Sequence, residues 1–235
     1  MLKAVFFDLD GTLLPMDQDE FMKAYFGSLA KRLSKIGYEP DRLISSIWSG
    51  SAAMVKNDGS KTNEDAFWEA FNASYGKDGR ADERYFYEYY VEDFDKVSAI
   101  CKKNPGAALA VADIKALGLR VALATNPLFP SIATEKRIAW AGLDKSDFEL
   151  FTTYENSRYC KPNLKYYEDI LAKLNLAPEE VLMVGNDVSE DMVCEELGCN
   201  VFLVTDCLIN KQGKKIIDYP NGDLSDLIQH VITLI

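Results

Sequence analysis

The chain is poor in histidine, since His230 is the only one among its 235 residues. This residue lies near the C-terminus, far in sequence from every acidic motif described below, and we expect it to be a surface or packing residue. Catalysis that depends on histidine is therefore not expected. Long apolar runs are also absent, because no stretch reaches the ~20 residues that a helix needs to cross a bilayer.

Cysteine occurs in an odd number and in no paired pattern. No C-x-x-C sequence occurs, and the five residues are Cys101, Cys160, Cys194, Cys199 and Cys207. Asp8 and Asp10 interrupt the apolar run at the N-terminus, so we expect no secretory signal peptide. Reduced thiols in a cytoplasmic protein fit this pattern best.

Positive charge is in deficit. The chain has 26 Lys and Arg residues against 37 Asp and Glu residues, a formal net charge of −11 at pH 7. A negative surface disfavours nonspecific binding to nucleic acid or to an anionic membrane, so we expect neither as a partner. Because 48% of the residues are hydrophobic, the chain can bury a sizeable core. A monomer and a homodimer both remain open.

Short apolar runs alternate with segments of helical period over much of the chain. The predicted strands are 4–9, 120–125, 149–153, 181–185 and 200–205. The predicted helices between the later strands are 107–117, 131–141, 164–174 and 189–197. This alternation predicts an α/β fold, a Rossmann-like parallel sheet with helices on both faces.

The span 15–103 contains no convincing strand. Apolar residues repeat there at helical spacing, as in Phe21, Tyr25 and Leu29. The span is too long for one crossover and too apolar for a loop. We therefore predict a helical cap domain at 15–103, inserted into a catalytic core formed by 1–14 and 104–235.

The insert contains an aromatic run and five candidate substrate-contacting residues. The aromatic run 85–90 would suit base or sugar stacking, but at helical spacing one face of it packs a helical bundle, and we expect packing. Proximity to the hinge or to a turn in the middle of the insert marks five residues that would contact a substrate, namely Met16, Asp17, Trp48, Lys56 and Asn57.

Two carboxylates one residue apart, Asp8 and Asp10, follow the first predicted strand. Gly11 allows a sharp turn behind them. Ligands of open α/β sheets bind beyond the carboxyl ends of the strands. The pair therefore indicates a nucleophile with an acid/base partner, or a metal site. The simpler alternative is an acidic turn that caps the next helix.

Three further polar sequences follow predicted strands. Thr125-Asn126 ends the second, Lys161 lies beyond the third, and Asp187 with Asp191 follows the fourth. Each alone is an ordinary turn, helix start or acidic first turn. Because they follow parallel strands, we expect all of them to converge on one crevice with the first acidic pair.

In this order the residues resemble the four motifs of the haloacid dehalogenase superfamily of phosphohydrolases. That superfamily carries Asp-x-Asp-Gly-Thr after its first strand, Thr or Ser after the second, Lys near the third, and an acidic pair after the fourth. The insert is similar to the class one cap of this superfamily, and the pattern covers the whole chain.

The resemblance implies a catalytic role for four residues. Asp8 would attack phosphorus and form an aspartyl phosphate, and Asp10 would protonate the leaving oxygen and then activate water. Thr125 and Lys161 would hold the phosphoryl group. Asn126 would join them in binding phosphate, or would only shape the loop.

The resemblance also implies Mg²⁺ as the cofactor. Asp8, the backbone carbonyl of Asp10, and Asp187 would bind the ion, while Asp191 would orient the metal shell or Lys161. Gathering these carboxylates around a phosphate requires compensating cations, and oxygen donors at a hydrated site suit Mg²⁺ better than zinc. We also expect acidic neighbours and partial burial to raise the pKa of Asp10.

These observations favour a phosphatase that acts on a small phosphorylated metabolite. A sugar-phosphate mutase of the same superfamily shares every core motif and stays the main alternative. A dehalogenase does not need Asp10, and a phosphonatase would need a cap lysine in a recognisable pattern. Response-regulator receivers place the acceptor after the third strand, so they fit less well, and a non-catalytic phospho-ligand binding protein is the last alternative.

Overall fold

The computed structural model describes all 235 residues and contains one sheet of five parallel strands. The strands are β1 (Ala4–Phe7), β2 (Arg120–Leu123), β3 (Val181–Gly185), β4 (Asn200–Val204) and β5 (Asn221–Gly222). Their order across the sheet is β2-β1-β3-β4-β5. β1 and β3 are therefore interior strands, which places the residues that follow them at the middle of the sheet edge.

Eight α-helices accompany the sheet. In chain order they are α1 (Gln18–Leu33), α2 (Pro40–Val55), α3 (Asn63–Tyr75), α4 (Glu83–Glu92), α5 (Pro105–Ala116), α6 (Ser131–Trp140), α7 (Leu164–Leu174) and α8 (Leu224–Leu234). Side chains of β1 alternate between two hydrophobic clusters. Val5 and Phe7 pack in the cluster that includes residues of α5 and α8, while Ala4 and Phe6 pack in the one that includes α7. Both faces of the sheet are thus covered, and the predicted fold is confirmed.

Two predicted elements were wrong. Residues 149–153 run beside β2 but form only one isolated bridge, between Leu123 and Phe151, so they are not a strand of the sheet. Residues 189–197 do not form an α-helix. The chain makes a turn before Met192, and a 3-10 helix follows at Met192–Leu197. The short strand β5 was not predicted, since two residues carry no periodic signal.

All four helices α1–α4 lie between β1 and β2 in sequence, and residues 15–103 contain no strand. Phe86, Tyr89 and Tyr90 of the aromatic run are buried, as expected for packing residues. Phe21 and Tyr25 of the insert belong to the same hydrophobic cluster as β1. The insert therefore packs against the rest of the chain, with Phe21 beside Phe129 and Phe94 beside Trp140 of α6, and its division into a separate cap domain stays a prediction.

None of the eight helices combines the length and apolar character that a bilayer crossing requires. The five cysteines form no disulfide. His230 is partly buried, and its ring centroid lies 5.5 Å from that of Phe202, so it packs against β4 as expected.

Candidate active site

Asp8 follows β1 directly and is 7% exposed. Its backbone N–H still donates to Val184 of β3, which continues the ladder by one residue. Lys161 Nζ donates to Oδ1 at 2.9 Å, and the Thr12 hydroxyl shares its one proton between Oδ2, at 3.2 Å, and Asn186 Oδ1. Both carboxylate oxygens are therefore held in place, so the carboxylate has one defined direction at the sheet edge.

Lys161 is a buried cation between two carboxylates. Its Nζ lies 2.9 Å from Asp8 Oδ1 and 2.5 Å from Asp191 Oδ1, and its side chain is 1% exposed. Burial alone would lower the pKa of Lys161, but the negative charges of Asp191 and Asp8 outweigh burial and raise it. The lysine therefore keeps its charge beside Asp8.

Asp191 supports this lysine from the opposite side. Its Oδ2 accepts the backbone N–H of Asp187 at 2.9 Å. Burial raises the pKa of Asp191 to about 7, with Lys161 acting in the opposite direction. A Cβ atom at Gly185 would overlap the Asp191 side chain, so the last residue of β3 leaves the space that this carboxylate fills.

The loops after β1 and β3 are tied together by side chains. Asn186 accepts a hydrogen bond from the Thr12 hydroxyl at 3.0 Å and donates to the Cys207 carbonyl at 2.6 Å. Gly11 has a φ of +89°, and a Cβ atom there would overlap the Asn186 carboxamide. Glycine is required at this position both for its backbone conformation and for the close approach of the two loops.

Asp187 is oriented by the turn that it begins. Its Oδ1 accepts the backbone N–H groups of Ser189 at 2.7 Å and Glu190 at 3.0 Å. This leaves Oδ2 without a partner in the chain. One carboxylate oxygen is thus fixed by the backbone and the other is available to a ligand.

Asp10 makes a contact that the motifs did not predict. Its Oδ2 forms an ion pair with Arg137 of α6, whose side chain is only 1% exposed. The guanidinium also donates to Thr134 at 3.3 Å and lies 4.4 Å from the ring centroid of Phe129. Asp10 Oδ1, by contrast, is buried without any hydrogen-bond partner.

The surroundings of Asp10 raise the pKa of its carboxyl group above the ordinary value. Burial is the largest cause and raises the pKa of Asp10, the charge of Arg137 lowers it, and the charge of Asp8 raises it again. The net direction is upward, as predicted from acidic neighbours and burial. The opposing arginine is the part of the balance that sequence reasoning missed.

Thr125 and Asn126 continue from β2 toward the same place. The Thr125 carbonyl accepts hydrogen bonds from Thr152 at 2.6 Å and Tyr166 at 2.8 Å, whereas its hydroxyl makes no hydrogen bond within the chain. Asn126 donates to Glu190 at 2.9 Å, and its buried Oδ1 has no partner. The loop is therefore held through its backbone while the Thr125 hydroxyl stays free.

The predicted residues meet at one cavity of about 200 Å³, here named the acidic cavity. Six of the seven predicted site residues line it, namely Asp8, Asp10, Thr125, Asn126, Asp187 and Asp191. Lys161 does not line the cavity but lies behind Asp8 and Asp191, and it contacts the carboxylates of both. The expected convergence on one crevice is confirmed.

Charge in the acidic cavity is strongly one-sided. Five carboxylates line it, including Glu190, and Lys211 is the single basic lining residue. Two carboxylates ~4 Å apart repel by roughly 4 kcal/mol at an effective dielectric constant near 20. The buried cations Lys161 and Arg137 compensate part of this charge. A bound phosphate would require a further cation.

The donor set of the cavity suits Mg²⁺. Asp8 and Asp187 supply carboxylates. The backbone carbonyl of Asp10 lies in the loop that leads from β1 to the insert. No group of three or more His, Cys, Asp or Glu side chains is arranged so as to hold a metal ion. Mg²⁺ binds one or two carboxylates and keeps several waters, so two carboxylates and a carbonyl fit it.

Sequence reasoning missed Arg137, which pairs with Asp10, and the lining residues Glu190 and Lys211. Arg137 could have been found, because it occupies the buried face of α6 with Ala133 and Ile138, where a charged residue needs a partner. Of the five proposed substrate contacts, Met16 lines the acidic cavity and Trp48 lines a neighbouring one.

The remaining proposed contacts have other surroundings. Asp17 caps α1 through its bond to the Glu20 backbone N–H. Lys56 lines neither of these two cavities, and Asn57 is bonded to Asn63 and to the Lys61 carbonyl.

Comparison with known proteins supports a single family. The family model described as haloacid dehalogenase-like hydrolase matches residues 2–193. Glyceraldehyde 3-phosphate phosphatase from Methanothermobacter thermautotrophicus is 25% identical over 95 residues, which cover 40% of this chain and 41% of that protein. The chain thus matches well under half the length of this curated relative.

Solved structures share the whole fold. A predicted phosphoglycolate phosphatase from Haemophilus somnus 129PT is 21% identical, with a TM-score of 0.59 and 98% of both chains covered. A 2-haloacid dehalogenase from Pseudomonas syringae pv. tomato DC3000 is 16% identical, with a TM-score of 0.64 and full coverage of both chains. At these identities the likeness shows the fold, which serves both chemistries.

Proposed function

We propose that this chain, which belongs to the haloacid dehalogenase-like hydrolases, is a Mg²⁺-dependent phosphatase for a small phosphorylated metabolite. The observation that carries this proposal is the pair of carboxylates at the acidic cavity. Asp8 is anchored through both oxygens, whereas Asp10 keeps one buried oxygen without a partner. The two side chains therefore suit different roles.

Asp8 acts as the nucleophile in this proposal. Its oxygen attacks phosphorus, the bond from phosphorus to the ester oxygen breaks, and an aspartyl phosphate forms. Lys161 holds the carboxylate in line and offsets part of its charge. The free hydroxyl of Thr125, which follows β2, donates to a phosphoryl oxygen and so positions the phosphoryl group for attack.

Asp10 acts as the acid and then as the base. Burial favours its protonated form, and the unpaired Oδ1 is the oxygen that carries the proton to the departing alkoxide. In the second step the same carboxylate takes a proton from water, which attacks phosphorus and breaks its bond to Asp8. Arg137 holds Oδ2 throughout, which leaves Oδ1 without a partner in the chain.

Mg²⁺ would be held by Asp8, Asp187 and the Asp10 carbonyl, and when bound it supplies charge stabilisation for the phosphoryl group. Asp191 acts through Lys161, which it contacts at 2.5 Å. A cytoplasmic location and a monomeric or homodimeric state stay predictions. An acid at position 10 also favours phosphate ester chemistry over carbon–halogen cleavage, which needs no such acid.

The test is hydrolysis of p-nitrophenyl phosphate with Mg²⁺, with EDTA, and with the Asp8→Asn variant. We expect turnover to need the metal and to fall by several orders of magnitude in Asp8→Asn, because an amide is not a nucleophile. Asp113→Asn, an exposed change on α5, is the matched control and should keep full activity.

A trapping experiment separates a nucleophile from a merely structural carboxylate. Acid-quenched protein should carry a hydroxylamine-sensitive phosphate on residue 8, detected by mass spectrometry. Equal activity in Asp8→Asn and in the unaltered protein, or phosphate on another residue, would contradict the proposal.

A further inference from the structure

A second cavity of about 250 Å³ adjoins the acidic cavity. Four residues line both cavities, namely Gln18, Met22, Leu128 and Phe129. Phe129 also packs against the Arg137 guanidinium that holds Asp10. In the proposed reaction the leaving group departs beside Asp10. These shared side chains therefore separate the site of the leaving group from the second cavity.

The walls of this second cavity are aromatic, and we name it the aromatic chamber. The insert contributes Tyr25, Trp48, Phe67, Trp68, Phe86 and Tyr90, drawn from all four helices α1–α4. Twelve of its 15 lining residues are hydrophobic, whereas five of 15 are hydrophobic in the acidic cavity. No Asp, Glu, Lys, Arg or His residue lines the chamber.

This composition limits what the chamber can hold. A charged group or a polyhydroxylated chain would lose its hydration there and find few partners, which is costly. A monocyclic aromatic ring loses little hydration free energy when it enters such a cavity. An apolar cavity of about 150 Å³ already accommodates benzene. The chamber is thus large enough for one ring with a short substituent.

The chamber also has a small number of neutral donors. The hydroxyls of Tyr25 and Tyr90 lie 2.8 Å apart, and only one of their two protons is used in that bond. The indole N–H of Trp68 is buried with no partner in the chain. These groups suit a ligand with a neutral hydrogen-bond acceptor, and they provide nothing to balance a second negative charge.

We propose that the aromatic chamber receives the leaving group, and that the substrate is the phosphate monoester of an aromatic alcohol or a similarly apolar one. The inference rests on the proposed phosphatase activity and specifies its substrate class. It separates this chain from enzymes for sugar phosphates, whose leaving groups carry many hydroxyls. The phosphoryl group occupies the acidic cavity, and the ring lies beyond Met22 and Phe129.

The test compares benzyl phosphate with glycerol 3-phosphate in Mg²⁺ buffer. Both are alkyl esters, so the acidity of the leaving alcohol differs little and the comparison reports on the leaving-group site. We expect kcat/KM for benzyl phosphate to be higher by on the order of 10- to 100-fold, as burial of a phenyl ring predicts. Acetyl phosphate, which is too small to fill the chamber, serves as the reference substrate.

A chamber-filling variant identifies where the ring binds. Ser51 of α2 lines the chamber, and Ser51→Trp should lower the ratio of benzyl to acetyl phosphate kcat/KM by about 10-fold or more. Ser45→Trp, on an exposed position of the same helix, should leave that ratio unchanged. Circular dichroism on both variants verifies that each is folded.

The outcomes are distinct. Benzyl phosphate preferred, with the preference lost only in Ser51→Trp, supports the inference. Equal or better hydrolysis of glycerol 3-phosphate, or a preference that survives Ser51→Trp, overturns the inference and leaves the phosphatase proposal intact. Failure to hydrolyse any of these three compounds or p-nitrophenyl phosphate, in a folded protein with Mg²⁺, overturns both.

Discussion

Replacing Arg137 with methionine removes the only cation that contacts the Asp10 carboxylate and keeps much of the side-chain volume. The contact joins residues 127 positions apart, so it connects α6 to the loop after β1. We expect Arg137→Met to destabilise the protein at neutral pH. The physical reason is that Asp10 remains largely buried and loses its partner.

The magnitude follows from the burial of the two partners. Removing one member of a buried ion pair typically costs about 3–5 kcal/mol. The Arg137 side chain is 1% exposed, but that of Asp10 is 22% exposed, so water solvates part of the orphaned charge. We therefore expect a loss of about 2–3 kcal/mol in the free energy of unfolding.

The loss should depend on pH in a defined direction. Burial raises the pKa of Asp10 and Arg137 opposes that rise, so removing the arginine raises this pKa further. A carboxyl group with a raised pKa stabilises the folded state only while it is protonated, and this contribution disappears as pH rises through the folded-state pKa. The variant should therefore approach the stability of the unaltered protein as pH falls toward about 4.

Urea denaturation of the metal-free protein measures this loss. The double variant Asp10→Asn with Arg137→Met leaves neither charge, and its loss should be smaller than the sum of the two single losses by about 1–3 kcal/mol. Lys145→Met removes an exposed partner of Glu135 and should have no measurable effect. Additive single losses, or a stable Arg137→Met variant, would refute the assigned pairing.

Two other predictions concern catalysis. Burial raises the pKa of Asp10, and the acid must be protonated to act. We therefore expect kcat/KM for an alkyl phosphate to fall as pH rises through the raised pKa. A pH profile without this alkaline decline would count against the acid role. Gly185→Ala introduces a Cβ that overlaps Asp191 and should lower kcat by roughly 100-fold through misplacement of Lys161. Gly27→Ala, whose Cβ would meet open space on α1, is the control in steady-state kinetics and should match the unaltered protein.

Local patterns explain why so much of the fold was predictable. The strand at 181–185 and the helix at 164–174 were predicted with the boundaries that the structure has, because an interior parallel strand is apolar throughout and an amphipathic helix shows its period. The segment 149–153 looked like a strand for the same reason. It failed because an apolar run fixes burial but not its place in a hydrogen-bonded sheet.

The motif residues were predictable because their order along the chain carries information. Parallel strands deliver every residue that follows them to one edge of the sheet, so Asp8, Thr125 and Asp187 had to lie near one another once the fold was parallel. Gly118, Gly142 and Gly198 lie just beyond helices and have positive φ, which is common for glycine at this position. Such features depend on neighbours in sequence and on the topology.

The sequence by itself thus determined the parallel sheet, the helical insert and the convergence of the acidic motifs, since each follows from local periodicity and strand order. Only the tertiary structure decided that Arg137 pairs with Asp10 and that Asp191 contacts Lys161 from behind. It also decided that aromatic residues from four helices enclose a chamber beside the acidic cavity. These contacts join residues that are far apart in the chain, so no local pattern of the sequence fixes their geometry.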